Sequence, residues 1–408
     1  MANTFKFGNG NWAVKDGYAL AYNDENNNFK PLPFDFTRAS SATRVNKQGL
    51  VEVVPSGKPR IDFLDNTSGH LLLEPSRANN LQRSEEFNNS TWNKGSLTVT
   101  ANQTTSPDGS QTADKITPNA TTGAIRIWQT QTTSAATYSL SFFVKYNGKQ
   151  YVQLLFGSLL NSSDFSNFDL INGTVTSGTG KIENYGNGWY RISLNASLNA
   201  ATDQVYLWSI DSSTSSRGAS STGNGSDGYY VWGSQFEQGS YATSYIPTEG
   251  SSVTRVVDDI ELVLPDVDSF NSSSGFSVIA KFDIGATSGS SSVPFLFFND
   301  DTSSTYIGFG SNATNLRCRL NLSGTSYLNT QNAPRTQRNS LFVSCDSSGW
   351  SQGANGSTGH TGTNNASVFD RLASITFVTS ETYGIIKISE LLVYNTRLTD
   401  TELQNLTS

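Results

Sequence analysis

The stretch Tyr138-Ser-Leu-Ser-Phe-Phe-Val-Lys-Tyr146 constrains the fold more than any other part of the chain. Leu140, Phe142, Val144 and Tyr146 fall on one side, with Ser139, Ser141 and Lys145 on the other. That period of two is the mark of a half-buried strand. Comparable runs recur at Ala124–Thr130, Tyr151–Phe156, Trp189–Leu194, Gln204–Ile210 and Tyr229–Glu237, separated by Asn, Gly and Ser turns. Short strands at such spacing predict a β-sandwich or jelly roll. The composition agrees: only 15% of residues are charged, against about 25% in an ordinary soluble domain. Asn, Ser and Thr supply the polarity instead, and they compete with a helix for backbone hydrogen bonds.

Three regions separate by pattern over the 408 residues. Residues 1–80 hold turn chemistry at Gly8-Asn-Gly10, Asp16-Gly17 and Asn26-Asn-Asn28, with short apolar pieces such as Tyr18-Ala-Leu-Ala-Tyr22 between them. Pro31 and Pro33 interrupt regular structure. A hairpin is expected over Val45–Val54, turning at Lys47-Gln-Gly49. The region is too irregular for a large core of its own, so it should lean on the next domain or on another subunit. Residues 81–258 read as the first sandwich. Residues 259–408 read as a second, with strands at Phe276–Phe282, Phe295–Phe298, Tyr306–Phe309, Leu316–Leu322, Leu341–Cys345, Ala373–Phe377 and Tyr383–Tyr394. Thr399 and Glu402 have the spacing of a capping box that opens a short helix. The fold class is therefore all-β: an irregular N-terminal part followed by two antiparallel β-sandwiches.

Several function classes have little support. The net charge is −7, and no Lys/Arg-rich run offers a nucleic-acid footprint. No apolar run approaches the ~20 residues of a membrane span. The start, Met1 to Trp12, lacks the basic and apolar parts of a secretory signal. Cys318 and Cys345 are the only cysteines, too few for a disulfide framework. Two reduced, buried thiols are expected rather than one bridge.

Catalytic chemistry finds few handles. His70 and His360 sit beside glycines and read as surface-loop residues, although a triad assembled across the fold stays open. A glycoside hydrolase needs two carboxylates ~5–9 Å apart. The doublets Glu85/Glu86, Asp258/Asp259 and Asp300/Asp301 would point to opposite faces of a strand. Glu183 and Glu237 are better spaced but isolated. No cofactor is expected. Calcium is the alternative, with Asn299-Asp-Asp301 and Ser226-Asp-Gly228 as oxygen donors, but turn chemistry explains both segments.

Sugar binding fits better. A sugar ring has an apolar CH face that stacks on Trp or Tyr, and hydroxyls that need amide or guanidinium partners. Alternation places Arg126, Trp128 and Thr130 on one face. Tyr206 and Trp208 share a face, as do Trp189 and Arg191. These six aromatic and arginine residues are the glycan-binding candidates. Packing is the competing explanation for each aromatic.

A specific resemblance adds a setting. Phe34-Asp-Phe-Thr-Arg-Ala-Ser-Ser-Ala-Thr-Arg-Val-Asn-Lys-Gln-Gly-Leu50, with Pro59-Arg-Ile-Asp-Phe63 and Leu71-Leu-Leu-Glu-Pro-Ser-Arg77, resembles a module near the front of bacteriophage virion proteins of head- or tail-fibre type. Gly186-Asn-Gly-Trp-Tyr-Arg-Ile-Ser193 and Tyr230-Val-Trp-Gly-Ser-Gln-Phe-Glu237 resemble carbohydrate-binding-module jelly rolls of phage proteins. So does the sequel Tyr241-Ala-Thr-Ser-Tyr-Ile-Pro-Thr248. The tail from Ile388 to Leu403 and the segment Trp350–Gly356 resemble laminin-G-like, concanavalin-like sandwiches. The resemblance implies a structural virion protein made in the host cytoplasm without an export signal. Its partners would be other virion proteins and host-surface polysaccharide, bound without cleavage, in a homo-oligomer with a trimer favoured. In that module Arg38, Arg44, Arg60 and Arg77 are expected to pair with acids such as Asp35, Asp62 and Glu74, in a structural role. A surface-polysaccharide depolymerase is the alternative function, and a bacterial surface adhesin the second.

Overall fold

The computed structural model describes residues 4–10, 12–15, 18–23, 28–31, 34–157, 164–263, 275–284, 293–299, 306–311, 315–322, 325–331, 339–363, 374–377 and 384–408. The fold is all-β, with antiparallel sheets in two sandwich-like units and one short helix among the described residues. The three-part reading at 1–80, 81–258 and 259–408 gives way to a different division. One unit combines Met1–Ser41, Val54–Ser76 and Val256–Ser408; the other combines Ala42–Val53 and Arg77–Arg255. Along the sequence, most of the second unit is an insertion into the first.

The inserted unit is built from two six-stranded sheets. One runs in the order Asn93–Gly95, Arg126–Thr133, Ala201–Ile210, Tyr151–Phe156, Phe165–Asp169, Thr174–Gly178. The other runs Leu97–Thr104, Ala113–Pro118, Gly228–Gln238, Ala136–Asn147, Trp189–Leu198, Lys181–Asn184. Ile127, Leu154 and Leu207 from the first sheet meet Ile116, Phe142, Ile192 and Val231 from the second in one core. Leu140, Phe142 and Val144 enter that core as the alternation requires, whereas Tyr146 at the strand end is 42% exposed. Arg77–Asn79 and Val253–Arg255, where the chain enters and leaves the unit, pair antiparallel.

One glycine in this unit has a clear steric task. The register of Ala136–Asn147 against Gly228–Gln238 shifts between Ser141 and Phe143. Gly233 takes up the shift with φ of 56°, where a Cβ would stand 2.8 Å from the Phe143 ring. The kink lets Phe143 pack edge-on against Trp232 and Tyr245.

The other unit draws both sheets from distant parts of the chain. Its larger sheet follows the order Ala13–Lys15, Tyr18–Asn23, Thr4–Gly8, Ile386–Tyr394, Phe276–Ile284, Asn339–Cys345, Gly349–Ala354, Ser357–Thr363. Its seven-stranded sheet runs Thr325–Gln331, Leu316–Leu322, Tyr306–Ser311, Val293–Asn299, Ser374–Phe377, Asp259–Val263, Phe34–Thr37. Each sheet thus takes strands from the first forty residues: Thr4 pairs with Tyr394, and Phe36 with Ile260. Phe36, Ile61, Leu71 and Leu73 are buried in the shared core. This is why residues 1–80 are not a separate region. Met1–Ser41 and Val54–Ser76 complete this core, while Ala42–Val53 belongs to the inserted unit.

Local signals hold where they are strongest. Asn46 Oδ1 accepts from the Gln48 and Leu50 amides and closes the hairpin at Gly49. Its strands are Ala42–Val45 and Val51–Val54. Asn355 and Gly356, at φ of 47° and 74°, make the tight turn after Gly349–Ala354. Thr399 caps the helix Asp400–Thr407, with Glu402 reaching back to the Thr399 amide. Cys318 and Cys345 are buried and unbridged. Asp16-Gly17, Asn26, Asn27 and Pro33 lie outside the described residues, as do Asp300, Asp301, Ala373 and Tyr383.

The arginines of the opening module are structural, with partners that differ in part from those expected. Arg38 Nη1 donates to Asp258 Oδ1 at 2.9 Å. Arg60 donates to the other oxygen of Asp258 and, at 2.8 Å, to Glu74. All four side chains are essentially inaccessible to solvent. Two cations and two anions balance, which is what makes their joint burial tolerable. Arg44 pairs with Glu52, and Arg77 Nε lies 3.8 Å from Glu237. Asp62 faces His70 at 3.3 Å. His70 is only 2% exposed, so it is not the surface-loop residue expected, while His360 is exposed.

Candidate functional site

The outer face of the inserted unit's Arg126-bearing sheet gathers four of the six candidates. Ile125 and Ile127 point into the core, which turns Arg126 and Trp128 outward. On the paired strand, Val205 and Leu207 point in and Tyr206 and Trp208 point out. The antiparallel register sets Arg126 opposite Trp208 and Trp128 opposite Tyr206. Gly95 lies across from Arg126 on the edge strand, where a Cβ would stand in ordinary contact with Arg126 and Trp128 at 3.4 and 3.5 Å.

The Arg126 guanidinium therefore sits among three rings. It lies 4.7 Å from the Trp208 ring centre, 5.0 Å from that of Trp128 and 5.5 Å from that of Tyr206. Such contacts contribute about 0.5–2 kcal/mol each, more as water is excluded. Among the described residues Arg126 has no carboxylate partner, and its Nε is enclosed without a hydrogen bond. Arg126 and Trp128 are half-buried. Tyr206 and Trp208 are 9% and 5% exposed and form the floor beneath them.

The floor is held by the following loop. Trp208 Nε1 donates to the Ala219 carbonyl at 2.9 Å, and Gln153 and Asn167 donate to the carbonyls of Ser216 and Ser215. Burial raises the Tyr206 phenol above its usual range, and the positive charge of Arg126 opposes the rise.

An open cleft of about 650 Å³ adjoins this face. Asn93, the cross-strand neighbour of Trp128, lines it, as does Thr130, two residues further along the same face. Asn80, Gln82, Gln131 and Ser252 continue the wall, and no charged residue lines the cleft. A half-exposed indole beside amides and hydroxyls offers a stacking surface and hydrogen-bond partners together. Sequence alternation reaches Arg126, Trp128, Tyr206 and Trp208 but not the cleft, whose walls come from three separate segments.

The other two candidates are internal. Trp189 is 2% exposed, and its Nε1 donates to the Thr105 carbonyl at 3.0 Å. Arg191 is 3% exposed and donates to the Thr243 carbonyl and to Ser141 Oγ, with Phe143 under its guanidinium. Both serve the packing of their own sheet.

Three of the acids considered for hydrolysis, Glu237, Glu183 and Glu86, are engaged. Glu237 is fully enclosed and accepts from Thr243 and Gln235; burial raises its carboxyl above the usual range. Glu183 pairs with Lys181, and Glu86 with Arg83. Asp227 accepts from Asn224 within its turn. Among the described residues no cluster of three or more His, Cys, Asp or Glu is arranged to hold a metal, and no helix is long and apolar enough to cross a membrane.

No protein-family model matches the chain, and no curated protein does. Solved structures give partial likenesses. Domain 4 of AbnA, a GH43 extracellular arabinanase from Geobacillus stearothermophilus solved with arabinotriose, is 20% identical over 41% of this chain and 82% of its own, with a TM-score of 0.30. The CBM40 of the Ruminococcus gnavus IT-sialidase is 14% identical over 35% of this chain and 85% of its own, with a TM-score of 0.28. The receptor-binding domain of botulinum neurotoxin D is 10% identical over 37% of this chain, with a TM-score of 0.32; the likeness spans 41% of that domain.

Proposed function

We propose that this chain is a non-cleaving glycan-binding subunit of a bacteriophage particle, of head- or tail-fibre type, that engages polysaccharide on the host surface. One observation carries the binding part: Arg126, without a carboxylate partner among the described residues, is cradled by Trp128, Tyr206 and Trp208 beside a cleft of amides and hydroxyls. Arg38 and Arg60 are neutralised by acids. Arg126 instead spends its charge on ring faces, one of which is half-open to solvent. A sugar would stack on Trp128 and reach Arg126, Asn93 and Thr130 with its hydroxyls.

The virion setting is supported by the resemblance of Phe34–Leu50, Pro59–Phe63 and Leu71–Arg77 to the fibre-protein module. In that setting the chain is assembled in the host cytoplasm as a homo-oligomer, a trimer by resemblance. Many weak contacts then add up by avidity. The non-cleaving part is supported by the engagement of Glu183, Glu237 and Glu86 with partners inside the unit.

Host-surface polysaccharide incubated with the purified chain should be retained by it with no release of reducing ends. Release of reducing ends would overturn the non-cleaving reading. Antibody against the chain should label phage particles in electron micrographs; particles that all lack label would overturn the virion setting.

A further inference from the structure

The seven-stranded sheet of the other unit carries a second cationic feature that forms no ion pair among the described residues. In Leu316–Leu322, the side chains of Leu316, Cys318 and Leu320 enter the core. Arg317, Arg319 and Asn321 therefore share the opposite face, where all three are half-buried. The neighbouring strand places Gly310 across from Arg317, Gly308 across from Arg319 and Tyr306 across from Asn321. Two glycines leave that flank of the arginines without side chains. Arg319 Nη1 lies 3.4 Å from the Tyr306 hydroxyl.

Neither arginine forms an ion pair among the described residues. Each Nε, and Asn321 Oδ1, is enclosed without a hydrogen-bond partner. Asp259, an exposed acid on the same sheet, is four strands away, roughly 19 Å at normal strand spacing. Positions two apart on a strand lie about 6.6–6.8 Å from each other. Two like charges at that distance repel by about 0.6 kcal/mol even in water, and by more at a half-buried surface. An anion between them reverses the sign of this interaction.

We infer that Arg317 and Arg319, with Tyr306 and Asn321, form an oxyanion-binding site for an acidic saccharide, distinct from the Arg126–Trp128 face. The guanidinium fork matches a carboxylate or sulfate ester in two-pronged fashion. Asn321 shares the arginines' face and the Tyr306 hydroxyl lies beside Arg319, which puts both within reach of the saccharide's hydroxyls. The site does not depend on the glycan-binding reading of the inserted unit.

The test is a low-salt titration of the full chain with oligogalacturonate, dextran sulfate and neutral dextran. The expected result is binding of oligogalacturonate, weakened at least tenfold in the R317Q/R319Q double variant, with dextran ignored by these residues. R317K/R319K keeps both charges but loses the fork, and should fall between the two. Binding of dextran sulfate in place of oligogalacturonate, with the same loss in the variants, would assign a sulfate ester and uphold the site. The inference is overturned if neither acidic probe binds, or if the folded double variants bind both as the wild type does. It is also overturned if Trp128→Ala abolishes acidic binding that R317Q/R319Q retains.

Discussion

Arg38 and Asp258 lie 220 positions apart in sequence, yet their side chains meet at 2.9 Å with no solvent access to either. The same carboxylate also accepts from Arg60. One acid therefore joins three segments of its unit. Asp258→Asn would leave one guanidinium charge without balance in a dry environment. Breaking a buried pair in this way costs about 3–5 kcal/mol. Urea unfolding should show a loss of that order, and a change below about 1 kcal/mol would mean that the network is not the brace described.

Gly233 is the other point where one residue fixes a local path. Alanine there would meet Phe143 at 2.8 Å while holding a left-handed backbone. The expected cost is about 1–3 kcal/mol, read as a lowered denaturation midpoint for Gly233→Ala. An unchanged midpoint would mean that the strand can slide its register without loss.

Much of the fold was legible because each sandwich strand carries its own period. Tyr151–Phe156 has the same bounds in the sequence reading and in the structure. Edge strands such as Thr174–Gly178 and Lys181–Asn184 escaped notice. They are polar and half-exposed, so burial imprints little alternation on them. The division into units was also hidden. A pairing such as Thr4 with Tyr394 leaves no local trace in either segment. Alternation likewise brought out Arg126, Trp128, Tyr206 and Trp208. It could not separate them from Trp189 and Arg191, whose partners Thr105, Ser141 and Thr243 come from elsewhere in the chain.

Glu85 gives the inserted unit a pH dependence of definite sign. Burial lifts its carboxyl above the usual 4.5, outweighing the hydrogen bond from Tyr245, and Asp108 and Glu86 add to the rise. An acid whose folded pKa is raised favours the native state when protonated. Its contribution is complete below the unfolded value and fades as pH climbs through the folded one. Asp169 and Asp211, held below the usual range, act in the opposite sense and lose stability as pH falls. Comparing Glu85→Gln with the wild type isolates Glu85. The variant should gain in thermal midpoint relative to the wild type at neutral pH, and the gain should shrink on acidification toward pH 4. A difference independent of pH would contradict the assignment.

The half-buried Trp128 ring and the Arg126 beside it carry the binding proposal. Binding of the wild-type chain and of Trp128→Ala to an array of bacterial surface glycans tests this directly, with the thermal midpoint of each as the control for folding. The account predicts that the wild type binds at least one glycan and that the variant, folded to a similar stability, binds it at least tenfold more weakly. A wild type that binds nothing on a broad array, or a variant that binds equally well, would contradict it.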